Sequence, residues 1–153
     1  MHDTEQNHLA FTTSIQPARR AWVQAATTVL SASGLSMSLG SAVILLYRGE
    51  GDAQQKTLAA QVGINPAAMV RVLDQGEEAG LLIRQDVPDD RRSKTVALLP
   101  AGKALARKLE KSLAALRDEL LADLTPAEIA AATKALRAFE ARAQAYVAGR
   151  DDS

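Results

Sequence analysis

Residues 54–98 have the sequence QQKTLAAQVGINPAAMVRVLDQGEEAGLLIRQDVPDDRRSKTVAL, and this stretch decides the fold. Gly63 stands where a left-handed residue ends a first short helix, and Asn65 with Pro66 supplies a cap and a first helical residue for the next one. Two helices joined by so short a turn form a helix-turn-helix. The second helix has the i, i+3, i+4, i+7 spacing of a buried stripe, at Met69, Val72, Leu73 and Gly76.

The pattern changes from helix to strand after Gly80. Residues 81–84 and 95–99 are aliphatic or β-branched runs, and the charged segment 87–94 separates them. Such runs on either side of a turn-forming segment predict a β-hairpin with a long charged tip. A helix-turn-helix followed directly by a hairpin is the order of a winged helix-turn-helix unit.

Further helices are predicted on both sides of this unit. Before it, one helix opens at Pro17 after a polar leader and runs to about Ser31, and a second is capped by Ser36 and closed by residues 49–52. After it, Pro100 starts a long helix whose leucines share one face. These leucines are Leu105, Leu109, Leu113, Leu116 and Leu120.

The last helix has the clearest start signal in the chain. Thr125 and Glu128 form a capping box, in which the hydroxyl and the carboxylate satisfy each other's backbone amides. The apolar positions that follow alternate three and four apart, which favours a helix–helix seam within the monomer or between two chains. They are Ile129, Ala132, Leu136, Phe139, Ala143 and Tyr146. We therefore predict a mainly α fold with a small β-hairpin wing. This order of elements resembles that of a winged helix-turn-helix regulator, which implies that residues 35–99 bind DNA and that residues 1–34 and 100–153 are dimerisation helices.

Composition excludes several classes of protein. The 153 residues include no cysteine, so disulfides, thiolate metal sites and thiol nucleophiles are ruled out. Both histidines, His2 and His8, lie in the polar leader, so no metal site is predicted. Apolar runs are far shorter than the ~18–20 residues of a membrane helix, and no signal-peptide pattern is present. We expect a cytoplasmic protein without a membrane partner.

From Leu35 to about Leu136 the chain resembles the MarR family of bacterial transcription regulators. The most specific match is the wing, where Asp90 and Arg92 fit the family's Asp-x-Arg motif. The matching stretches are Gly34-Leu35-Ser36, Thr57-Leu58-Ala59, Arg71-Val72-Leu73-Asp74 with Gly80-Leu81, and Pro88-Asp89-Asp90-Arg91-Arg92-Ser93-Lys94.

Three positions depart from the family's usual residues. Leu99 stands where a hydroxyl residue usually starts the next helix, so that cap must come from elsewhere. Gln54 replaces the usual Ser or Thr ahead of the helix-turn-helix. Gly76 lies where a leucine is usual, which predicts a gap in the buried stripe and costs about 1 kcal/mol of helix propensity relative to Ala.

The resemblance implies a repressor that acts as a homodimer on a palindromic operator in double-stranded DNA and responds to a small molecule. An enzyme is not expected, because the sequence has no nucleophile–base pair, metal-ligand spacing or phosphate-binding glycine motif. A helical scaffold that binds only protein is the alternative function. That alternative gives no reason for Arg91 and Arg92 at the hairpin tip.

The second helix of the helix-turn-helix would contact bases with the face opposite its buried stripe. Arg71 suits guanine or a phosphate, and Gln75 suits adenine. The alternative for Arg71 is a solvated pair with Asp74. The predicted base-contacting residues are Ala67, Ala68, Val70, Arg71 and Gln75.

At the wing, Arg91 and Arg92 suit a narrow minor groove, Asp90 would orient Arg92, and Lys94 would meet a phosphate. The alternative is a solvated charged loop. Residues 54–103 carry seven basic and six acidic residues, a net charge of only +1. DNA binding therefore depends on a few locally placed cations and on dimerisation, and it should weaken strongly with salt.

The resemblance also implies an effector, a small aromatic acid, in a cleft between the dimerisation helices and the winged unit. Arg19, Arg20 and Trp22 on the first helix, with Tyr47 on the second, would supply a cation and an apolar wall for such an anion. In the alternative interpretation Trp22 and Tyr47 belong to the core and the arginines are solvated. No other cofactor is expected.

Overall fold

The computed structural model describes residues 2–49 and 52–151. These residues form a mainly helical fold with one small antiparallel sheet, which confirms the predicted fold class. The helices are α1 His2–Ser31, α2 Met37–Arg48, α3 Gln55–Val62, α4 Pro66–Glu78, α5 Pro100–Leu120 and α6 Pro126–Asp151, and the strands are β1 Ala53–Gln54, β2 Leu82–Val87 and β3 Asp90–Leu98. One compact unit extends to Ala114 and a second begins at Ala115.

The first unit is built around one hydrophobic core. Helices α2, α3 and α4 contribute most of its side chains, and β2, β3 and the first turns of α5 close it. The predicted stripe on α4 is confirmed, since Met69, Val72, Leu73 and Gly76 are all buried. The largest completely buried side chains are Leu30, Leu58, Met69, Leu73, Leu82, Val43 and Val96.

Local capping explains where the helices of the winged unit begin and end. The Ser36 hydroxyl accepts a hydrogen bond from the Leu39 amide at 3.2 Å, and the Asn65 carboxamide oxygen accepts one from the Ala68 amide at 2.8 Å. Gly63 has a φ of 82°, the left-handed value that lets α3 stop and α4 start at once. Gln54 precedes α3 without a side-chain cap bond. The predicted closure of α2 continues past Gly49 to residues 50 and 51, which lie outside the described residues.

The sheet differs from the predicted hairpin in two ways. Strand β1, which was not predicted, pairs with β3, so the strand order is β1-β3-β2. The long charged tip is also wrong, because Pro88 and Asp89 alone form the turn and residues 90–94 belong to β3. Asp89 has a φ of 65°, which a short polar side chain tolerates in a tight turn.

The predicted gap at Gly76 is wrong, because a side chain from the wing fills it. A Cβ atom at this position would lie 2.6 Å from Cδ2 of Leu82 and 3.1 Å from Cδ1 of Leu39. A leucine at position 76 would therefore occupy the space that Leu82 takes in this chain. The glycine lets β2 pack closely against α4.

The start of α5 is fixed against the backbone of the wing. The Leu99 amide donates a hydrogen bond to the Leu81 carbonyl at 2.9 Å, directly before Pro100 opens the helix. Gly102 lies so close to the same carbonyl that a Cβ atom would be 2.0 Å from its oxygen. The absence of a side chain at position 102 is therefore what allows this contact.

Helix α1 begins much earlier than the sequence predicts, and the polar leader is its first half. Pro17 lies inside the helix instead of opening it. Since the φ of proline is fixed near a helical value, the chain continues through it with the loss of one backbone hydrogen bond. Upstream, the Thr13 hydroxyl donates to the Leu9 carbonyl at 2.8 Å and the Ser14 hydroxyl to the Phe11 carbonyl at 2.7 Å.

The second unit contains the end of α5 and the whole of α6. The predicted capping box is present, since the Thr125 amide donates to a Glu128 carboxylate oxygen at 2.8 Å and the Glu128 amide donates to the Thr125 hydroxyl at 3.2 Å. The Thr125 amide and, to a smaller extent, the Thr125 hydroxyl donate to the Glu128 carboxylate and hold the pKa of Glu128 below its ordinary value. The predicted apolar face of α6 lies at the surface, with Leu136 49% and Tyr146 61% exposed. On α5, Leu109 and Leu113 are buried, whereas Leu120 is 52% exposed.

Within residues 2–49 and 52–151, no helix combines the length and the apolar character that crossing a bilayer requires.

Candidate nucleic-acid interface

Helix α4 exposes the residues predicted to contact bases. Its buried stripe faces the core, so the opposite face is left at the surface. Val70 is 41% exposed, Ala68 is half-buried, and Ala67, Arg71 and Gln75 are exposed. The structure therefore brings these five residues onto one accessible helical surface.

Asp74 on the same helix is joined to the wing. Arg84 of β2 forms an ion pair with Asp74 and also binds Glu77, with its Nε at 3.0 Å from one carboxylate oxygen of Glu77 and a terminal nitrogen at 3.0 Å from the other. The alternative pairing of Arg71 with Asp74 is wrong, since Asp74 is paired with Arg84 across the α4–β2 contact. Arg71 makes no ion pair with any residue in the described ranges.

The Arg84–Glu77 contact also involves the main chain. The Arg84 amide donates to a Glu77 carboxylate oxygen at 2.9 Å. The hydrogen bonds from the Arg84 side chain and then from its amide hold the pKa of Glu77 below its ordinary value. Hydrogen bonds from the Arg84 guanidinium to the carboxylate of Glu77 and, to a smaller extent, to that of Asp74 raise the pKa of Arg84. Helix α4 and the wing are thus clamped together by charges on both elements.

The wing arginines project from a bulge in β3. Val87 is opposite Asp90 and Asp86 is opposite Lys94, so residues 91–93 are additional residues on the β3 side. Asp90 closes this bulge, because its carboxylate accepts from the Arg92 amide at 3.0 Å and from the Ser93 hydroxyl at 2.7 Å. Asp90 therefore orients Arg92 through the backbone and not through the guanidinium. The Ser93 hydroxyl first, and then the Arg92 amide, lower the pKa of Asp90.

Lys94 is held within the hairpin. Its ammonium forms an ion pair with the carboxylate of Asp86, the residue directly opposite it on β2. The Lys94 side chain is 46% exposed and that of Asp86 is 74% exposed, so solvent reaches both partners. Sequence reasoning missed this pair, although opposite charges on neighbouring strands are a signal for cross-strand contacts once the register is known.

A positively charged groove lies between α3, α4 and the wing. It has a volume of about 310 Å³. Three cations, Lys56, Arg92 and Lys94, stand along its sides. The other lining residues are Gln54, Gln55, Ala59, Pro66, Met69 and Ser93.

The predicted effector residues do not come together. Tyr47 lines a cleft of about 540 Å³ between the end of α2, the base of the wing and α5. Arg19, Arg20 and Trp22 are not part of its lining; they lie on the surface of α1, where Trp22 is 38% exposed. The residues that accompany Tyr47 in the cleft are Leu46, Arg48, Asp52, Ala97, Leu98, Lys103 and Glu110.

Arg48 and Glu110, on opposite walls of this cleft, form an ion pair. Among the residues in the described ranges, no group of three or more acidic, histidine or cysteine side chains is placed to hold a metal ion.

A helix-turn-helix, a three-stranded wing and an exposed second helix define a winged helix-turn-helix protein. The MarR family model matches residues 35–94. The crystal structure of transcriptional regulator PA3341 is similar over 88% of this chain and 98% of that one, with 30% identity and a TM-score of 0.80. The chain therefore belongs to the MarR family and is a transcription regulator. Family membership also confirms that it is not an enzyme.

More distant structures have the same fold. BldR from Sulfolobus solfataricus is 21% identical, with a TM-score of 0.78 over 89% of this chain and 96% of that one. NadR in complex with 4-hydroxyphenylacetate is 19% identical, with a TM-score of 0.73 over 84% of this chain and 91% of that one.

Proposed function

We propose that the chain is a homodimeric repressor that binds a palindromic operator in double-stranded DNA, in the cytoplasm, and releases it when a small aromatic acid binds. Residues 35–99 act as the DNA-binding domain, and residues 1–34 and 100–153 act as dimerisation helices. One observation carries the proposal: helix α4 and the bulged strand β3 border a single groove that is lined by the cations Lys56, Arg92 and Lys94, of which Lys94 is paired with Asp86.

Helix α4 is the element that enters the major groove. Its exposed face combines short apolar side chains with Arg71 and Gln75, which suits contacts to thymine methyl groups, guanine and adenine. Its opposite face is fixed in the core, so the helix can be presented without rearrangement. The base-contacting residues of the proposal are Ala67, Ala68, Val70, Arg71 and Gln75.

The wing enters the neighbouring minor groove. Arg91 and Arg92 are exposed, and a guanidinium is attracted by the negative potential of a narrow minor groove. Asp90 contributes by holding the bulge from which they project. Lys94, on the groove side of the wing, is placed near the phosphates between the two grooves.

The proposed dimer is supported by the surface of the second unit. Leu136, Tyr146 and Val147 on α6 are each about half exposed or more, at 49%, 61% and 59%. Leu120, Leu121 and Leu124 before α6 are also partly exposed, at 52%, 37% and 48%. Apolar area of this extent on a single chain favours a second copy as its cover, because oligomers commonly bury such faces in a two-fold interface.

The proposed effector site is the cleft that Tyr47 lines. Its volume of about 540 Å³ is in the range of small-molecule sites. Leu46, Tyr47 and Leu98 give it an apolar wall, and Lys103 gives it a cation for a carboxylate, whereas Arg48 is paired with Glu110. NadR, a relative by fold, binds 4-hydroxyphenylacetate, which is an acid of this class.

The DNA-binding part of the proposal is tested with Arg92→Ala. We expect operator affinity to fall by about 1–3 kcal/mol while the fold is retained. The measurement is a fluorescence-anisotropy titration with DNA from upstream of the protein's own gene. Arg107→Ala, which removes an exposed arginine outside α4, the wing and the groove, is the matched control. Equal losses in both variants would remove the wing from the mechanism.

The effector part is tested with 4-hydroxyphenylacetate and benzoate as probes. Each is expected to raise the melting temperature and weaken operator binding in the wild type. Tyr47→Ala and Lys103→Ala should abolish this response while leaving DNA binding without ligand intact. If Arg20→Ala and Trp22→Ala abolish it instead, the site lies on α1 as the sequence predicts.

A further inference from the structure

One of the three cations that line the proposed DNA-binding groove, Lys94, is already paired with the carboxylate of Asp86. The two residues are direct cross-strand partners, so their side chains leave the hairpin on the same face. Lys94 also lines the groove, together with Arg92 of the wing and with Pro66 and Met69 of α4. The carboxylate of Asp86 is therefore bound to an ammonium on the groove side of the wing.

This place in the fold is where a phosphodiester strand would pass. With α4 in the major groove and the wing in the adjacent minor groove, the backbone between the two grooves lies between these elements. The Asp86 carboxylate that binds Lys94 has a negative charge and oxygen acceptors, as a phosphate does. Asp86 and a DNA phosphate therefore compete for the same ammonium.

The competition has a consequence for salt-dependent affinity. A lysine that neutralises a phosphate causes release of counterions from DNA, and this release supplies much of the sequence-independent affinity. A lysine already neutralised by a carboxylate contributes little of this free energy, because a new contact must first break the old one. Both side chains are solvent-exposed, at 46% for Lys94 and 74% for Asp86, so the pair can exchange partners.

We propose that Asp86 is an internal competitor for DNA phosphate that limits the affinity of this protein for duplexes of any sequence. The inference rests on the proposed DNA-binding function and adds a residue that weakens it. Arg84 is different, because its side chain is only 22% exposed and is held by Glu77 as well as Asp74. The Arg84 pairs clamp the wing to α4, whereas the Lys94 pair is exposed beside the groove.

The experiment is a double-mutant cycle with Asp86→Asn and Lys94→Ala, measured on an unrelated 30-base-pair duplex at several salt concentrations. Asp86→Asn should tighten binding about fivefold near 0.1 M salt and steepen the salt dependence by roughly one phosphate contact, a slope change of about 0.9. Lys94→Ala alone should weaken binding less than about twofold. In the Lys94→Ala background the gain from Asp86→Asn should disappear.

Asp89→Asn is the matched control, because it removes a negative charge from the same hairpin at a residue that makes no ion pair within the described ranges. Any gain from this variant should be the same with and without Lys94. Far-ultraviolet circular dichroism and melting curves check that each variant folds.

The outcomes separate the inference from the proposed function. If the wild type binds DNA and Asp86→Asn does not tighten binding, the inference is wrong and the function stands. A gain that persists in Lys94→Ala also overturns it, since the carboxylate then acts on DNA directly. If neither the wild type nor Asp86→Asn binds any duplex at low salt, both are overturned.

Discussion

Helices α4 and α6 both carry apolar residues at helical spacing, but they differ in what covers those residues. On α4, Met69 and Leu73 are completely buried by the rest of the winged unit. On α6, no residue in the described range is buried, and Leu136 and Tyr146 remain 49% and 61% exposed. The first helix is stabilised by its own chain, whereas the second keeps an apolar face that its own chain does not cover. In the proposed dimer, folding of the single chain would therefore stabilise α4, and association with a second copy would stabilise α6.

The largest effects should come from truncating one side chain in each helix. Leu73→Ala removes a completely buried side chain and should lower the free energy of unfolding by about 2–5 kcal/mol at every protein concentration. Leu136→Ala should lower the melting temperature mainly at low protein concentration, because it weakens association. Urea unfolding measures the free energy and thermal unfolding measures the melting temperature, each at two protein concentrations a hundredfold apart. Identical concentration dependence in the two variants would contradict the comparison.

A second pair of variants compares glycines in the two regions. Gly102→Ala should destabilise the winged unit by about 2 kcal/mol, because its Cβ would lie 2.0 Å from the Leu81 carbonyl oxygen. Gly149→Ala on α6 has no atom within 4 Å of its Cβ and should change stability by less than about 1 kcal/mol. Thermal melting at one concentration is sufficient. A neutral Gly102→Ala would show that α5 is not fixed against the wing.

The smallest expected effect is the loss of the stability contribution of Glu77 at acidic pH. The pKa of Glu77 is lowered in the folded state from an ordinary 4.5, so its contribution to stability is complete above pH 4.5 and is lost as the pH falls through the folded-state pKa. Glu77→Gln should cost about 1 kcal/mol at pH 7, a small value because the carboxylate is partly exposed. The difference from wild type should narrow below pH 4.5 in urea titrations. A difference that does not change between pH 7 and pH 3 would mean that Arg84 does not act through the charge of Glu77.

The sequence predicted those elements whose boundaries are set by neighbouring residues. Asn65 and Gly63 cap or end helices through bonds within one turn, and Thr125 with Glu128 does the same for α6. Such signals do not depend on tertiary contacts. The exposed face of α4 was predictable for the same reason, since it follows from the spacing of the buried stripe.

The predictions that proved wrong concerned contacts between residues distant in the sequence, or a residue that does not play its usual structural role. Leu82 fills the space at Gly76 only because the wing packs there. Pro17 lies inside α1, although a proline after a polar segment usually marks the first turn of a helix. Within the candidate site, counting back from the turn would place Asp86 near residue 91, but the bulge moves its partner to Lys94. No local pattern in the sequence gives the size of that shift.

Pro17 divides α1 into two helix–coil segments. Propagation of a helix needs a hydrogen bond for each residue added, and proline has no amide hydrogen to continue the series. The second segment is anchored through the buried side chains of Ala26 and Leu30. The first, residues 2–16, is near the length of about 12–15 residues at which an isolated helix is marginal in water. Any surface that buried Leu9, which is 62% exposed in the single chain, would therefore raise the helix content of this segment.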